Sequence, residues 1–147
     1  MIDIEQELVW APWKEYTPTL YNCGPGAGTT VLGRYRRAGT SADVDVTVTF
    51  AGSNPTGSSW ELSLPSGWTT EATTNRLQQG SLVMNDTGTV ALHGVCYLDA
   101  GGSAIKLRSL NLYGGTYLAW TGIGTTAPFT WTAGDFFVAK IRLELQP

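Results

Sequence analysis

The sequence predicts an all-β domain: an antiparallel β-sandwich, jelly-roll-like, with a short N-terminal arm. Two observations carry this. Short segments of strict apolar/polar alternation recur along the chain, separated by clusters of Gly, Pro, Ser, Thr and Asn, the pattern of half-buried strands joined by tight turns. The 147 residues include 18 glycines, only 14% are charged, and no amphipathic helical period runs long enough to matter. A 42% hydrophobic content supplies one core and excludes a disordered chain.

The first residues, MIDIEQELVWAPWKEY, differ from the rest. They hold Asp3, Glu5, Glu7 and Glu15 together with Ile2, Ile4, Leu8, Val9, Trp10 and Trp13, and Pro12 interrupts any helix. Residues 1–16 read as an assembly or attachment arm, and residues 17–147 as the β domain, with a first strand starting near Thr17. That much apolar surface does not hang free in water; it packs on its own domain, on a neighbouring subunit or on a larger assembly.

The strands then follow in order. TTVLGRYRRA (29–38) and DVDVTVTF (43–50) alternate cleanly, and WELSL (60–64) sets Trp60, Leu62 and Leu64 on one face. GSLVMND (80–86) and TVALHGVCYLD (89–99) are joined at Thr87 and Gly88. In SAIKLRSLNLY (103–113) the phase changes: Ile105 and Leu107 share one face, Leu110 and Leu112 the other, as a β-bulge would produce. GDFFVAKIRLELQ (134–146) turns Phe137, Ala139, Ile141, Leu143 and Leu145 inward. Roughly seven to nine such strands suit a sandwich or jelly roll.

The stretch GRYRRAGTSADVDVTVTF (33–50) crowds three arginines against two aspartates. With Gly39–Ala42 as the hairpin loop, Arg36 lies opposite Asp45, Arg34 opposite Thr47, Tyr35 opposite Val46 and Val31 opposite Phe50. The apolar residues then share one face and the charges the other. Burying each large apolar side chain is worth roughly 1.5–3 kcal/mol, against at most about 1 kcal/mol for a cross-strand ion pair. Burial sets this hairpin, and its charges are a solvated face. Asp43 and Asp45 beside an arginine fall short of the six to eight oxygens that Ca²⁺ takes, so no metal site is expected.

The net charge of −3 argues against a nucleic-acid-binding surface. The N-terminus is neither a signal peptide nor a membrane anchor. Cys23 and Cys96 are far apart and in no metal-ligand spacing; they pair or stay as free thiols, a small core residue being the commoner role. His93, the single histidine, sits mid-strand as a packing residue rather than a base, and no nucleophile-elbow motif is present. Paired carboxylates for glycoside cleavage would have to come from Asp86, Asp99, Asp135, Glu61 or Glu71. The glycine-rich segments match no phosphate loop, and no cofactor is expected. The aromatic set is richer. Trp68, Tyr113, Tyr117, Trp120 and Trp131 sit in or beside Gly/Thr-rich loops, where they stack on sugar rings, anchor a protein interface, or cap the ends of the sandwich.

WKEYTPTL (13–20), GRYRRAG (33–39), VDVTVTF (44–50), LSLP (62–65) and WTAGD (131–135), taken together, resemble a β-rich module of tailed-bacteriophage virion proteins. The resemblance is to the C-terminal ends of minor tail proteins and tail fibres of phages of actinobacteria, and it spans roughly residues 13 to 145. It implies a jelly-roll-like sandwich, usually homotrimeric, displayed on the virion surface after assembly in the host cytoplasm. Its partners would be other copies of itself, other virion proteins and a host-surface glycan, with no catalysis. It implies no defined binding residues. One feature departs from that pattern: the module begins almost at Met1, without a preceding shaft, which brings in a capsid decoration or head-fibre protein as the rival reading. A glycan-active enzyme is the third.

Overall fold

The computed structural model describes residues 9–72, 78–113 and 115–147. Among these residues it is all-β, with ten antiparallel strands and no helix. They are β1 (Lys14–Tyr16), β2 (Leu20–Gly24), β3 (Thr30–Ala38), β4 (Ser41–Thr49) and β5 (Thr56–Ser63), then β6 (Gln78–Asp86), β7 (Val90–Leu98), β8 (Ala104–Tyr113), β9 (Tyr117–Gly122) and β10 (Phe136–Glu144). They pair in one sheet in the order β1-β3-β4-β10-β6-β7-β8-β5-β2, with β9 on β8 outside this path.

The sheet curls on itself. β1 and β2 stand at its two ends, yet only Thr17–Thr19 separates them along the chain. The Tyr16 hydroxyl donates to the Ser63 carbonyl at 3.1 Å, and Thr19 and Ser63 bond through their backbones, tying β1 to β5. Phe50 of the β4 end meets Trp60 of β5 at 5.3 Å between ring centroids, although four strands intervene in the sheet order. The curl is what gives a single sheet an interior: the inward face of each strand closes over the others.

That interior holds the residues that alternation assigned to it. Val44, Val46 and Val48 of β4, Trp60 and Leu62 of β5, Leu82 and Met84 of β6, and Phe137, Ala139, Ile141 and Leu143 of β10 are buried in one cluster. β4 and β10 lie mid-sheet, and both keep the inside-outside period over their full nine residues.

The β3–β4 hairpin corrects the expected register by two residues. Ala38 pairs with Ser41, so the turn is Gly39–Thr40 alone. Gly39 has φ 60°, the conformation that the first central position of a tight hairpin turn demands and that glycine supplies. Arg36 therefore lies opposite Asp43, Arg34 opposite Asp45 and Tyr35 opposite Val44. A shift of two preserves the face of every side chain, so the separation of charge from core is unaffected.

Three further differences have local causes. Lys14–Tyr16, counted with the arm, already pairs with β3 as β1. β2 carries a register shift between Tyr21 and Cys23, with Asn22 at φ 60°, and this erases the alternation that would have advertised it. β8 has no bulge: its pairing with β7 and with β9 runs without interruption through Ser109, which is itself buried. Leu110 faces outward because it belongs to a different surface.

Asp135 of the WTAGD stretch clips two turns together. Its buried carboxylate accepts from the backbone amide of Thr87 at 2.9 Å and from the amide and hydroxyl of Thr132 at 2.7 and 3.1 Å. This fixes the β6–β7 turn to the entry of β10. Asp135→Ala strands these donors and is expected to lower stability by about 2–3 kcal/mol, read as a reduced urea midpoint at unchanged slope.

Candidate interaction surface

The outer face of β3, β4 and β10 is built from cross-strand rows. Arg34, Asp45 and Lys140 form one row; Arg36, Asp43 and Arg142 form the next. Alternation sends Val44 and Val46 inward and so must send their neighbours here. Arg34 contacts Asp45 at 2.9 Å, and Asp43 accepts from Arg36 at 2.8 Å and from both Nε and an Nη of Arg142 at 2.7 and 3.2 Å.

The arm lies across these rows. Trp13 has the guanidinium of Arg34 at 4.4 Å and that of Arg36 at 4.9 Å from its ring centre, and Trp10 has Arg36 at 4.7 Å and Arg142 at 5.0 Å. The Ala11 amide donates to the Arg37 carbonyl. Of the expected options for the arm, residues 10–13 thus take the own-domain one: the arginines hold the tryptophans by cation–π stacking while keeping their carboxylate partners. Val9 is 79% exposed, and Ile2, Ile4 and Leu8 lie outside the described residues.

Hydrogen bonds from Arg142, then from Arg36, hold the Asp43 carboxyl below the usual carboxylate range. A depressed folded-state value contributes stability that is present above the ordinary carboxylate pKa and is lost as pH falls through the folded one. Asp43→Asn is therefore expected to flatten the acid limb of the stability–pH curve and to cost about 1 kcal/mol at neutral pH, measured by denaturant titration from pH 7 to pH 2.

Beside the arm, Glu15, Leu32, Arg34, Asp45, Thr47 and Lys140 line a shallow concavity of about 560 Å³. Its lining joins the apolar Leu32 and Val138 to the charged Glu15, Arg34, Asp45 and Lys140, a combination that takes a polar ligand with one apolar face.

The aromatic candidates separate. Trp131 is fully buried, packed at 5.5 Å on both Phe50 and Trp60, and its indole N–H donates to the Ala127 carbonyl. It leaves no face for a ligand; the 123–135 segment folds into the core instead of looping over it. Trp68 is half-buried and stacks edge-on against Tyr35 at 4.8 Å. Trp120 is 48% exposed on β9. Tyr113 and Tyr117 are backbone partners across the β8–β9 hairpin, and their side chains lie outside the described residues.

In the β8–β9 hairpin, sequence reasoning picked out Trp120 but read its segment as a loop, and so missed strand β9 and the exposed Leu110 and Leu118 beside it. Leu110 sits opposite Trp120, and Leu110, Trp120 and Leu118 are all exposed on a strand pair that continues beyond the last β7–β8 pair, Gly94–Ser109. The signal was the phase change in β8, which marks the point where the strand leaves the core, not a slip within it.

His93 is exposed on β7, opposite Val83. Of the candidate carboxylates, Asp99 contacts Lys106 at 2.6 Å and Asp135 is the clip described above. Both thiols are free. Burial raises Cys23 to about 11 and Cys96 to about 12, so both stay protonated at neutral pH. Comparison with known proteins found no matching family model, no matching curated protein and no matching solved structure.

Proposed function

We propose that this protein is a displayed structural module of a tailed-phage virion, a homotrimeric, jelly-roll-like tail or fibre component that contributes to host-surface attachment. The observation that carries this reading is the division of labour on the surface. A curled β sheet with a buried core supports two outward elements, an arm laid over an arginine–aspartate ladder and the β8–β9 hairpin with exposed Leu110, Leu118 and Trp120. Such elements join a body to neighbours without altering its core. The resemblance of WKEYTPTL, GRYRRAG and WTAGD to virion modules supplies the setting.

Attachment falls to the concavity beside the arm. Glu15, Asp45, Arg34 and Lys140 hydrogen-bond sugar hydroxyls, while Leu32 and Val138 meet the apolar face of a pyranose ring. The test is binding of labelled full-length protein to host cell envelopes. Binding that is reduced at least tenfold in Asp45→Ala/Lys140→Ala, with the fold intact by circular dichroism, supports the reading. No binding to envelopes, together with recovery of the protein in tailless capsids, would favour the decoration role instead.

A further inference from the structure

Three cross-strand rows run over the outer face of β3, β4 and β10. Leu32, Thr47 and Val138 make the first, Arg34, Asp45 and Lys140 the second, and Arg36, Asp43 and Arg142 the third. The second and third rows each read cation, carboxylate, cation. Four cations against two carboxylates give these two rows a formal charge of +2, in a chain whose net charge is −3.

Three of the four cations have partners within the molecule. Arg34 has Asp45 and the Trp13 ring, Arg36 has Asp43 and both tryptophans, and Arg142 has Asp43 and Trp10. Lys140 differs. Among the described residues its ammonium makes no ion pair and meets no aromatic ring. Asp45 lies across from it on β4 but is held by Arg34. Both Arg34 bonds, at 3.0 and 2.9 Å, end on Oδ2, which leaves Oδ1 without a hydrogen bond among the described residues.

Lys140 also stands where two concavities meet. It lines the one beside the arm with Leu32 and Val138, and an adjoining one of about 450 Å³ with Arg36 and Arg142. Arg142 is two residues along β10, about 7 Å away. Glu15, at the other end of the first concavity, is three strand spacings from Lys140, about 14 Å. That exceeds the roughly 8 Å over which exposed charges act at physiological salt. The positive excess around Lys140 is therefore local, and Glu15 does not cancel it. A neutral hydroxyl could accept from the ammonium, but only an anion also draws on the charge of the neighbouring rows.

Resting on the attachment reading above, we propose that the glycan this surface takes is acidic. A carboxylate or phosphate on its sugar seats on the Lys140 ammonium, a hydroxyl of the same unit donates to Asp45 Oδ1, and the apolar ring face lies on Leu32 and Val138.

The test is calorimetric titration of the purified full-length protein with three ligands: an oligogalacturonate, a poly(glycerol phosphate) chain, and the same oligogalacturonate reduced at its carboxyls to a neutral oligomer. At least one anionic ligand is expected to bind roughly tenfold or more tightly than the neutral one, and raising NaCl from about 50 to about 500 mM erases the difference. Tight binding of the oligogalacturonate alone assigns a carboxylate, and of the poly(glycerol phosphate) alone a phosphate. Lys140→Gln loses the preference and Lys140→Arg keeps it, both with unchanged circular dichroism. Equal binding of all three ligands, no binding of either anionic one, or a preference that survives Lys140→Gln overturns the inference. A wild type that binds envelopes but does not favour the acidic ligands sinks this inference and leaves attachment standing. An acidic preference lost in Lys140→Gln, in a protein that does not bind envelopes, does the reverse.

Discussion

Val46→Asp leaves no soluble folded protein. Val46 is fully buried at the centre of β4, between Gly33 of β3 and Ala139 of β10. An aspartate there has neither water nor a cation within the core, and an unpaired buried charge costs several kcal/mol, comparable with the whole stability of a domain of this size. The carboxylate one residue earlier behaves oppositely. Asp45 points outward to the exposed Arg34, and Asp45→Asn is expected to change stability by less than about 1 kcal/mol. Expression level and denaturant midpoints of the two variants check this. Equal damage from both would contradict the assignment of faces on β4.

The second large effect is on assembly. Deleting residues 1–13 removes Trp10 and Trp13 but keeps β1 and the Tyr16–Ser63 bond that closes the curl. Arg34, Arg36 and Arg142 lose their stacked rings and hydrate. Each exposed cation–π contact is worth about 0.5–1 kcal/mol, so losing the four to Trp10 and Trp13 costs about 2–4 kcal/mol and the domain stays folded. On the function proposed above, self-association and incorporation into particles are, by contrast, expected to be lost. Circular dichroism and sedimentation of the truncated chain read the two effects separately. A truncated protein that still forms the full-length oligomer would mean that a face of the β domain makes all the contacts.

What could be read from the sequence follows from where side chains are two-sided. β4 and β10 are central strands with one wet face, so their alternation is complete and their core residues are legible one by one. β9 is different. In Tyr117–Gly122 the exposed Leu118 and Trp120 imitate a core pattern while serving a surface, and the surrounding glycines suggest a loop. Trp131 fails in the reverse sense: it packs on Phe50 and Trp60, partners distant in sequence that no local period can announce. The hairpin register turned on the single residue Gly39, whose φ of 60° shortens the loop to two residues. The arm's aromatic content was legible, but its site was not, because cation–π stacking on Arg34, Arg36 and Arg142 depends on strands β3 and β10 meeting β4.

The most direct measurement is localisation on intact phage particles by cryo-electron microscopy, with gold-labelled antibody against the β domain to identify the density. A displayed tail module predicts gold confined to the tail, over a threefold-symmetric density. Particles that carry no gold, or gold spread over the capsid shell alone, would contradict it.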